Sequence, residues 1–305
     1  MLILCKLLFP NRLLPVLLFL QENTRFFIAT SSEKNHRNAL QVKVKMARVG
    51  FMRLWLFSLL LSLVMRVGLP GEEDLPPLRV GMELSYPPYE MVCADGKPCG
   101  ISVDMAAFLG EFLGRKIEIE NISFTGLIPS LNTGKVDLVI SSLTENPERA
   151  KVIDFSEPYL TVGLSLLISA QSDLDTIEGA NNSKRVIVVK SGTTGELYAH
   201  KHLTKATLHV LDKESLCVLE VIQNKADAFI YDQFSVATQW KKHPTTTRRL
   251  SQPFAIENWA IGIKKGNKVL LDQVNRFLKD FKEKEGIEKL REKYESPELR
   301  ATNNG

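Results

Sequence analysis

The sequence predicts an α/β protein made of two similar units. Three observations carry this. Short apolar runs of strand length alternate with longer segments whose apolar residues recur at helical spacing. The alternation occurs twice, once before and once after Gly163. No short-period repeat, low-complexity tract or coiled-coil heptad competes with it.

The first unit follows Pro76 and Pro77 and opens with the apolar strand Leu78–Met82. Val103, Ala106, Ala107, Leu109, Phe112 and Leu113 then mark a helix over 102–113. Ile117, Ile119 and Ile122 are spaced as a strand, 127–131 reads as a short helix stopped by Gly134, and 137–143 reads as a buried strand. This βαβαβ order implies a mostly parallel sheet covered by helices on both faces. In the second unit, strands are expected over 164–168, 185–189, 208–211 and 226–231, with helices over Thr194–His202, 214–223 and 236–240. Two more strands follow, around 250–254 and 259–263. A long amphipathic helical region comes last, with Leu270, Val274, Phe277, Leu278 and Phe281 as its apolar stripe, divided at Gly286.

The 305 residues allow one large domain or two ordinary ones, and 44% hydrophobic with 24% charged residues is a globular composition. The formal charge of +4 is unevenly placed. Up to Pro70 there are ten Lys/Arg and two Asp/Glu, leaving 29 and 33 for the rest, so the body is mildly acidic. Nucleic acid is therefore not an expected partner. Residues 1–71 read as a targeting region. The uncharged run 54–65, preceded by Lys43, Lys45, Arg48 and Arg53, has 12 residues, short of the ~20 a membrane span needs. It fits the apolar core of a secretory signal around 52–68, with Met46 or Met52 as possible starts and an uncleaved anchor as the alternative. Export is the expectation.

An oxidising compartment suits the cysteines. Cys93 and Cys99 flank Ala94-Asp95-Gly96-Lys97-Pro98, where Asp-Gly favours a tight turn. If that turn is a hairpin, a disulfide across it is expected. A zinc site would need two more ligands, and no second Cys or His pair has the spacing, so no metal is expected. Cys217, in an apolar stretch, reads as a small buried hydrophobe.

Ligands of open α/β sheets bind beyond the carboxyl ends of the strands. That rule selects Glu83 and Tyr86; Ser141, Ser142 and Thr144, with Arg149 shortly after; Lys190 to Thr194; and Tyr231 with Asp232. Such a set can recognise a zwitterion. Arg149 offers a planar fork for a carboxylate, Asp232 accepts from an ammonium, and the hydroxyls fill the positions between. Local sequence leaves other readings open. Asn146 and Pro147 suit a helix start beside a merely solvated Arg149, Asp232 suits a helix cap, and 191–195 suits an ordinary strand-to-helix turn. Tyr86 and Phe124 are residues that more often pack in a core.

From about Leu78 to Tyr294 the chain resembles the periplasmic polar-amino-acid-binding proteins of ABC importers, solute-binding protein family 3. The matching segments are GMELSYPPYE, GISVDMAAFLGEFLG, FTGLIPSLNTGKVDLVISSLTENPERAKVIDFSEPY, VVKSGTTGELYA, NKADAFIYD and NWAIGIKKGN, in the family's order and spacing. The resemblance implies a two-lobed periplasmic-binding-protein clamshell, each lobe a mainly parallel sheet flanked by helices, with hinge strands near 159–163 and Ala255–Trp259. Lobe 1 would comprise 77–160 plus 258–300, and lobe 2 161–257.

It also implies roles. Arg149 would hold the ligand carboxylate, Asp232 and Thr144 the ammonium, and main chain near Ser142 and Thr194 would complete the head-group site. Tyr86 and Phe124 would flank the side chain, Glu83 would read its far end, and Lys190 is a secondary candidate. Glu83 between aromatic walls points to a polar, basic L-amino acid such as arginine. The implied protein is a periplasmic, monomeric receptor that hands a free L-amino acid to an inner-membrane ABC permease. It would need no cofactor and make or break no bond. The alternative is an enzyme of the cyclohexadienyl dehydratase type on the same fold.

Overall fold

The computed structural model describes residues 75–295. The proposed targeting region, Cys5 and the last residues of the chain lie outside the described residues. Among the described residues no helix is long and apolar enough to cross a membrane.

Two sheets organise the chain, with a small hairpin sheet at the side. The first has the order β5-β1-β6-β14-β7. Its strands are β1 (Leu78–Met82), β5 (Ile117–Asn121), β6 (Leu138–Val139), β7 (Ile153–Phe155) and β14 (Gly262–Lys264). β1 runs parallel to β5 and β6, and β14 returns antiparallel between β6 and β7. Helix α1 (Ile101–Leu113) buries Ile101, Met105, Ala106 and Leu109 on one face, as i, i+4 spacing requires. It ends on Gly114, whose φ of 63° suits a left-handed cap. The last two helices, α7 (Lys268–Glu283) and α8 (Gly286–Tyr294), share that layer with α1. The stripe Leu270, Val274, Phe277, Leu278 and Phe281 is buried throughout. Phe108 and Phe112 of α1 meet Phe281 and Phe277, with ring centroids 6.0 and 5.8 Å apart. On the opposite face α2 (Phe124–Thr133) packs Leu127 and Leu131 against Val139 and Ile153.

The second sheet has the order β10-β9-β11-β8-β12, with β13 also pairing β8. It comprises β8 (Leu160–Ser169), β9 (Val186–Lys190), β10 (Thr207–Leu211), β11 (Ala228–Asp232), β12 (Thr247–Arg249) and β13 (Ala255–Trp259). Only β9, β10 and β11 are mutually parallel; β8 is antiparallel to each of its neighbours. Helices α4 (Thr194–His202), α5 (Glu214–Ile222) and α6 (Gln233–Lys242) connect these strands. The long β8 and β13 pair with one another from Leu160↔Trp259 to Leu164↔Ala255, and the chain crosses between the two sheets along this pair.

Two expected strands are revised. The ladder within 137–143 covers only Leu138–Val139; beyond it Ile140 and Ser141 are buried without sheet pairing, and the chain turns at Ser142, whose φ is 48°. No strand covers 250–254. That segment contains Pro253, which cannot donate to a ladder, and the pairing falls on the flanking β12 and β13 instead.

The side sheet joins β2 (Ser85–Tyr86), β3 (Glu90–Val92) and β4 (Pro98–Cys99), and Cys93 is bonded to Cys99 across its turn. Cys217 is fully buried, and burial pushes its thiol up to about 12, as expected of a residue that packs rather than reacts. Closing so short a loop removes about 2 kcal/mol of chain entropy from the unfolded state. Replacing both Cys93 and Cys99 by Ser should therefore lower the free energy of unfolding in urea by about 2 kcal/mol with little change in the slope. An unchanged midpoint would show that the bond adds nothing.

Candidate functional site

The carboxyl ends of β1, β6, β9 and β11 converge on one cleft between the two sheets. It encloses about 450 Å³ of space not filled by atoms, part of it open to solvent. Of the residues singled out in the sequence, Glu83, Tyr86, Phe124, Ser142, Thr144, Arg149, Thr194 and Asp232 all line it. Lys190 stands behind the wall, bonded to Glu83.

Arg149 sits on the short helix α3 (Pro147–Ala150). Asn146 caps that helix by accepting from the Arg149 N–H at 2.9 Å, with Pro147 at its first position. The local helix-start reading is therefore right, but the guanidinium is not solvated: Arg149 is only 8% exposed. Its Nη1 donates to the Thr144 carbonyl at 2.5 Å and its Nη2 to the Gly192 carbonyl at 2.9 Å. The second bond crosses from one sheet's loops to the other's. Gly192 permits it, having φ 77° and lying where a Cβ would meet Thr125 Cγ2 at 2.9 Å. Phe124, at the start of α2, lies 5.5 Å below the guanidinium. Burial lowers the Arg149 pKa to about 10, opposed by the charge of Glu257, so the cation persists at neutral pH.

Asp232 ends β11 and caps α6: its Oδ1 accepts from the N–H groups of Phe234 and Ser235, both at 3.0 Å. Cap and site are thus compatible, because the cap uses one carboxylate oxygen. Burial raises its pKa to about 6 against these hydrogen bonds. On the other wall, Glu83 forms an ion pair with Lys190, which is 2% exposed at its side chain, and Glu83 Oε1 accepts from the Phe124 N–H at 3.3 Å. The Lys190 ammonium also lies 5.2 Å from the Phe124 ring and 6.0 Å from that of Tyr231. Tyr86 is a core member as well as a wall, with Tyr89, Tyr231 and Trp259 rings 5.7, 5.9 and 6.0 Å away.

Two lining carboxylates escaped sequence reasoning. Glu257, on β13, accepts from the Thr144 hydroxyl at 3.1 Å, and burial raises its pKa while the Thr194 and Thr144 hydroxyls lower it. Glu90, at the start of β3, is 1% exposed and surrounded by the hydroxyls of Ser102, Ser141 and Ser142. Glu257 left a weak signal, a lone acid in an expected hinge strand. Glu90 left none beyond its presence in a matched segment.

A cleft between two α/β lobes joined by paired crossing strands, with a buried guanidinium and a buried carboxyl group in its walls, defines a solute-binding clamshell. The chain belongs to the bacterial extracellular solute-binding proteins, family 3, whose sequence profile it matches over residues 78–297. It is similar to the L-cystine-binding protein of Escherichia coli, with 27% identity over 71% of this chain and 82% of the relative. It is also similar to cyclohexadienyl dehydratase of Pseudomonas aeruginosa, with 29% identity over 55% of this chain and 63% of that protein. Among solved structures, it resembles an ancestral arginine-binding protein bound to arginine, with TM-score 0.68, 29% identity, and coverage of 72% of this chain and 98% of that one. A structure of an ancestral arginine-binding protein bound to glutamine matches with TM-score 0.66 and 29% identity, over 72% and 97% of the two chains.

The raised pKa of Asp232 carries a sign. The native state holds the proton more tightly than the unfolded chain, so this residue costs stability as pH rises from about 4 to 6. Asp232→Asn keeps an acceptor for the cap and abolishes the titration. Its stability relative to the parent should improve across that window, by up to about 3 kcal/mol, and stay level above it. Urea melts at a series of pH values check this; a constant difference would mean that Asp232 is not destabilised by burial.

Proposed function

We propose that the protein is the extracytoplasmic receptor of an ABC importer, binding one free polar L-amino acid between its lobes and delivering it to an inner-membrane permease. One observation carries this reading. Arg149 and Asp232, buried and of opposite charge, come from different sheets, line one cleft, and bond to main chain rather than to each other. An amino acid supplies a carboxylate for the first and an ammonium for the second, with Thr144 and Thr194 beside them. A ligand that touches both walls favours the state in which the walls are close, shifting the hinge equilibrium. In this reading residues 77–160 with 258–300 move as one lobe against 161–257, β8 and β13 bend, and the permease recognises the closed form. The N-terminal basic and apolar segment exports the chain to the periplasm, where it works as a monomer.

The side-chain subsite favours an uncharged polar group. Glu83 already has a counter-ion in Lys190, so a neutral amide such as that of glutamine can bond to the cleft-facing part of Glu83, whereas a cation must compete with the ammonium. A cationic side chain such as that of arginine is the second reading. It is supported by the carboxyl surplus of the cleft, where Glu83, Glu90, Asp232 and Glu257 face Arg149 and Lys190. A dehydratase of the cyclohexadienyl type is the alternative of another class. Asp232 weighs against it, being placed for an ammonium that a keto acid such as prephenate lacks, and an assay for phenylpyruvate release decides the matter.

Calorimetry with a panel of amino acids tests the receptor. Glutamine is expected to bind at least about tenfold more tightly than arginine at neutral pH, the scale of one hydrogen bond to a charged group; the reverse order selects the cationic reading. Arg149→Ala should weaken every amino acid by at least about 100-fold, the worth of two charge-assisted hydrogen bonds, and undiminished affinity would remove Arg149 from the head-group site. Binding should also weaken as pH falls below about 6, because protonated Asp232 no longer attracts the ammonium.

A further inference from the structure

Glu90 is a buried acid in the wall of the ligand cleft, and its three hydrogen-bond partners are all neutral. Ser102 Oγ donates to Oε2 at 2.6 Å, Ser142 Oγ to Oε2 at 3.2 Å, and Ser141 Oγ to Oε1 at 3.4 Å. The Ser141 hydroxyl has no proton left for another partner, and its oxygen accepts from the Glu83 N–H at 2.9 Å. The Lys190 ammonium acts on Glu90 through space but is bonded to Glu83. Tyr159, ahead of β8, and Tyr231, on β11, face it as neutral phenols kept protonated by burial. Asp232 and Glu83 line the same cleft and add negative charge. The carboxyl group is therefore solvated for the charged form by hydroxyls yet lacks a counter-charge, and burial lifts its pKa to about 8.

We propose that Glu90 is the residue through which the cleft reads the charge of the ligand's side chain: ionised, it pairs with a cationic end, and protonated, it tolerates only a neutral one. This rests on the amino-acid-receptor reading and deepens it. Arginine or lysine would supply the missing counter-charge and expel the proton. Glutamine would not. Preference among side chains then depends on pH, with the cationic ligand gaining as pH rises toward about 8 and levelling above. The α-amino and α-carboxyl groups, and Asp232, contribute equally for both ligands and cancel in the ratio.

The experiment is calorimetry of the full chain with L-arginine and L-glutamine, in pairs of buffers of different ionisation enthalpy. At about pH 7, arginine should release about one proton and glutamine about none, and the ratio of arginine to glutamine affinity should rise at least about tenfold between about pH 6.5 and 9.5. In Glu90→Gln the proton release should vanish and the ratio should be flat. If that variant does not fold, Ser102→Ala serves. Ser102 lies on α1 outside the cleft lining, and loss of its hydroxyl should move the midpoint of the ratio curve to higher pH. A flat wild-type ratio, arginine-linked proton release that persists in Glu90→Gln, or an unmoved midpoint in Ser102→Ala overturns the proposal. Binding of no amino acid at all overturns the receptor reading and this one with it.

Discussion

The cleft is built around the buried guanidinium of Arg149. A charge removed from water must be met by hydrogen bonds, and here two carbonyls meet it, one from the Thr144 segment and one from Gly192 across the cleft. That requirement couples three local structures. Asn146 and Pro147 start the helix that aims the side chain, Phe124 supports it from below, and Gly192 lets the opposite loop approach within bonding distance. The guanidinium keeps donors beyond the two used, and those are what a ligand carboxylate can engage. A lysine would satisfy the charge but not hold both carbonyls in the same plane.

Around this point the cleft sorts its charges. Glu83 is neutralised from behind by Lys190, Asp232 gives one oxygen to a helix cap, and Glu257 is held by threonine hydroxyls. Each carboxylate is thus positioned by bonds that leave part of it facing the cleft. Burial opposes ionisation at Asp232, Glu257 and Glu90 alike. A site in which several acids resist charging gains from a cation such as an α-ammonium.

Much of this was legible in the chain. Periodicity located α1 and the Leu270–Phe281 stripe, because each buries one face and leaves the other wet, and an apolar run located β1, which lies between β5 and β6 and is buried along most of its length. Strand ends named ten of the lining residues, since open α/β sheets present their ligands there. What could not be read was long-range or locally atypical. β12 has the polar sequence Thr-Arg-Arg at a sheet edge, where one strand neighbour suffices, so no apolar pattern marks it. The pairing of Glu83 with Lys190 joins residues 107 positions apart in the chain. Glu90 lies between aromatic and apolar neighbours, and only the folded chain brings the three serines onto it.

The same cleft residues also reach the hinge. Trp259 closes β13 opposite Leu160 of β8, and its ring lies 5.0 Å from Tyr89 and 5.9 Å from Phe234. Tyr89 precedes Glu90, and Phe234 follows Asp232 by two positions, so one aromatic cluster touches both walls and the strand pair that links them. Beyond Phe234, the Arg291 guanidinium sits 5.4 Å over its ring and is held by Glu295, which in turn accepts from the Tyr89 hydroxyl at 3.1 Å. The C-terminal helix is therefore tied to both sides of the cluster. Aromatic stacking is tolerant of sliding while ion pairs and hydrogen bonds are not, so the proposed rotation about β8 and β13 would be absorbed by the rings between the two walls. The Arg149–Gly192 and Lys190–Glu83 contacts must then break or form as units. In the receptor reading proposed above, small displacements at the cleft would become a choice between discrete arrangements.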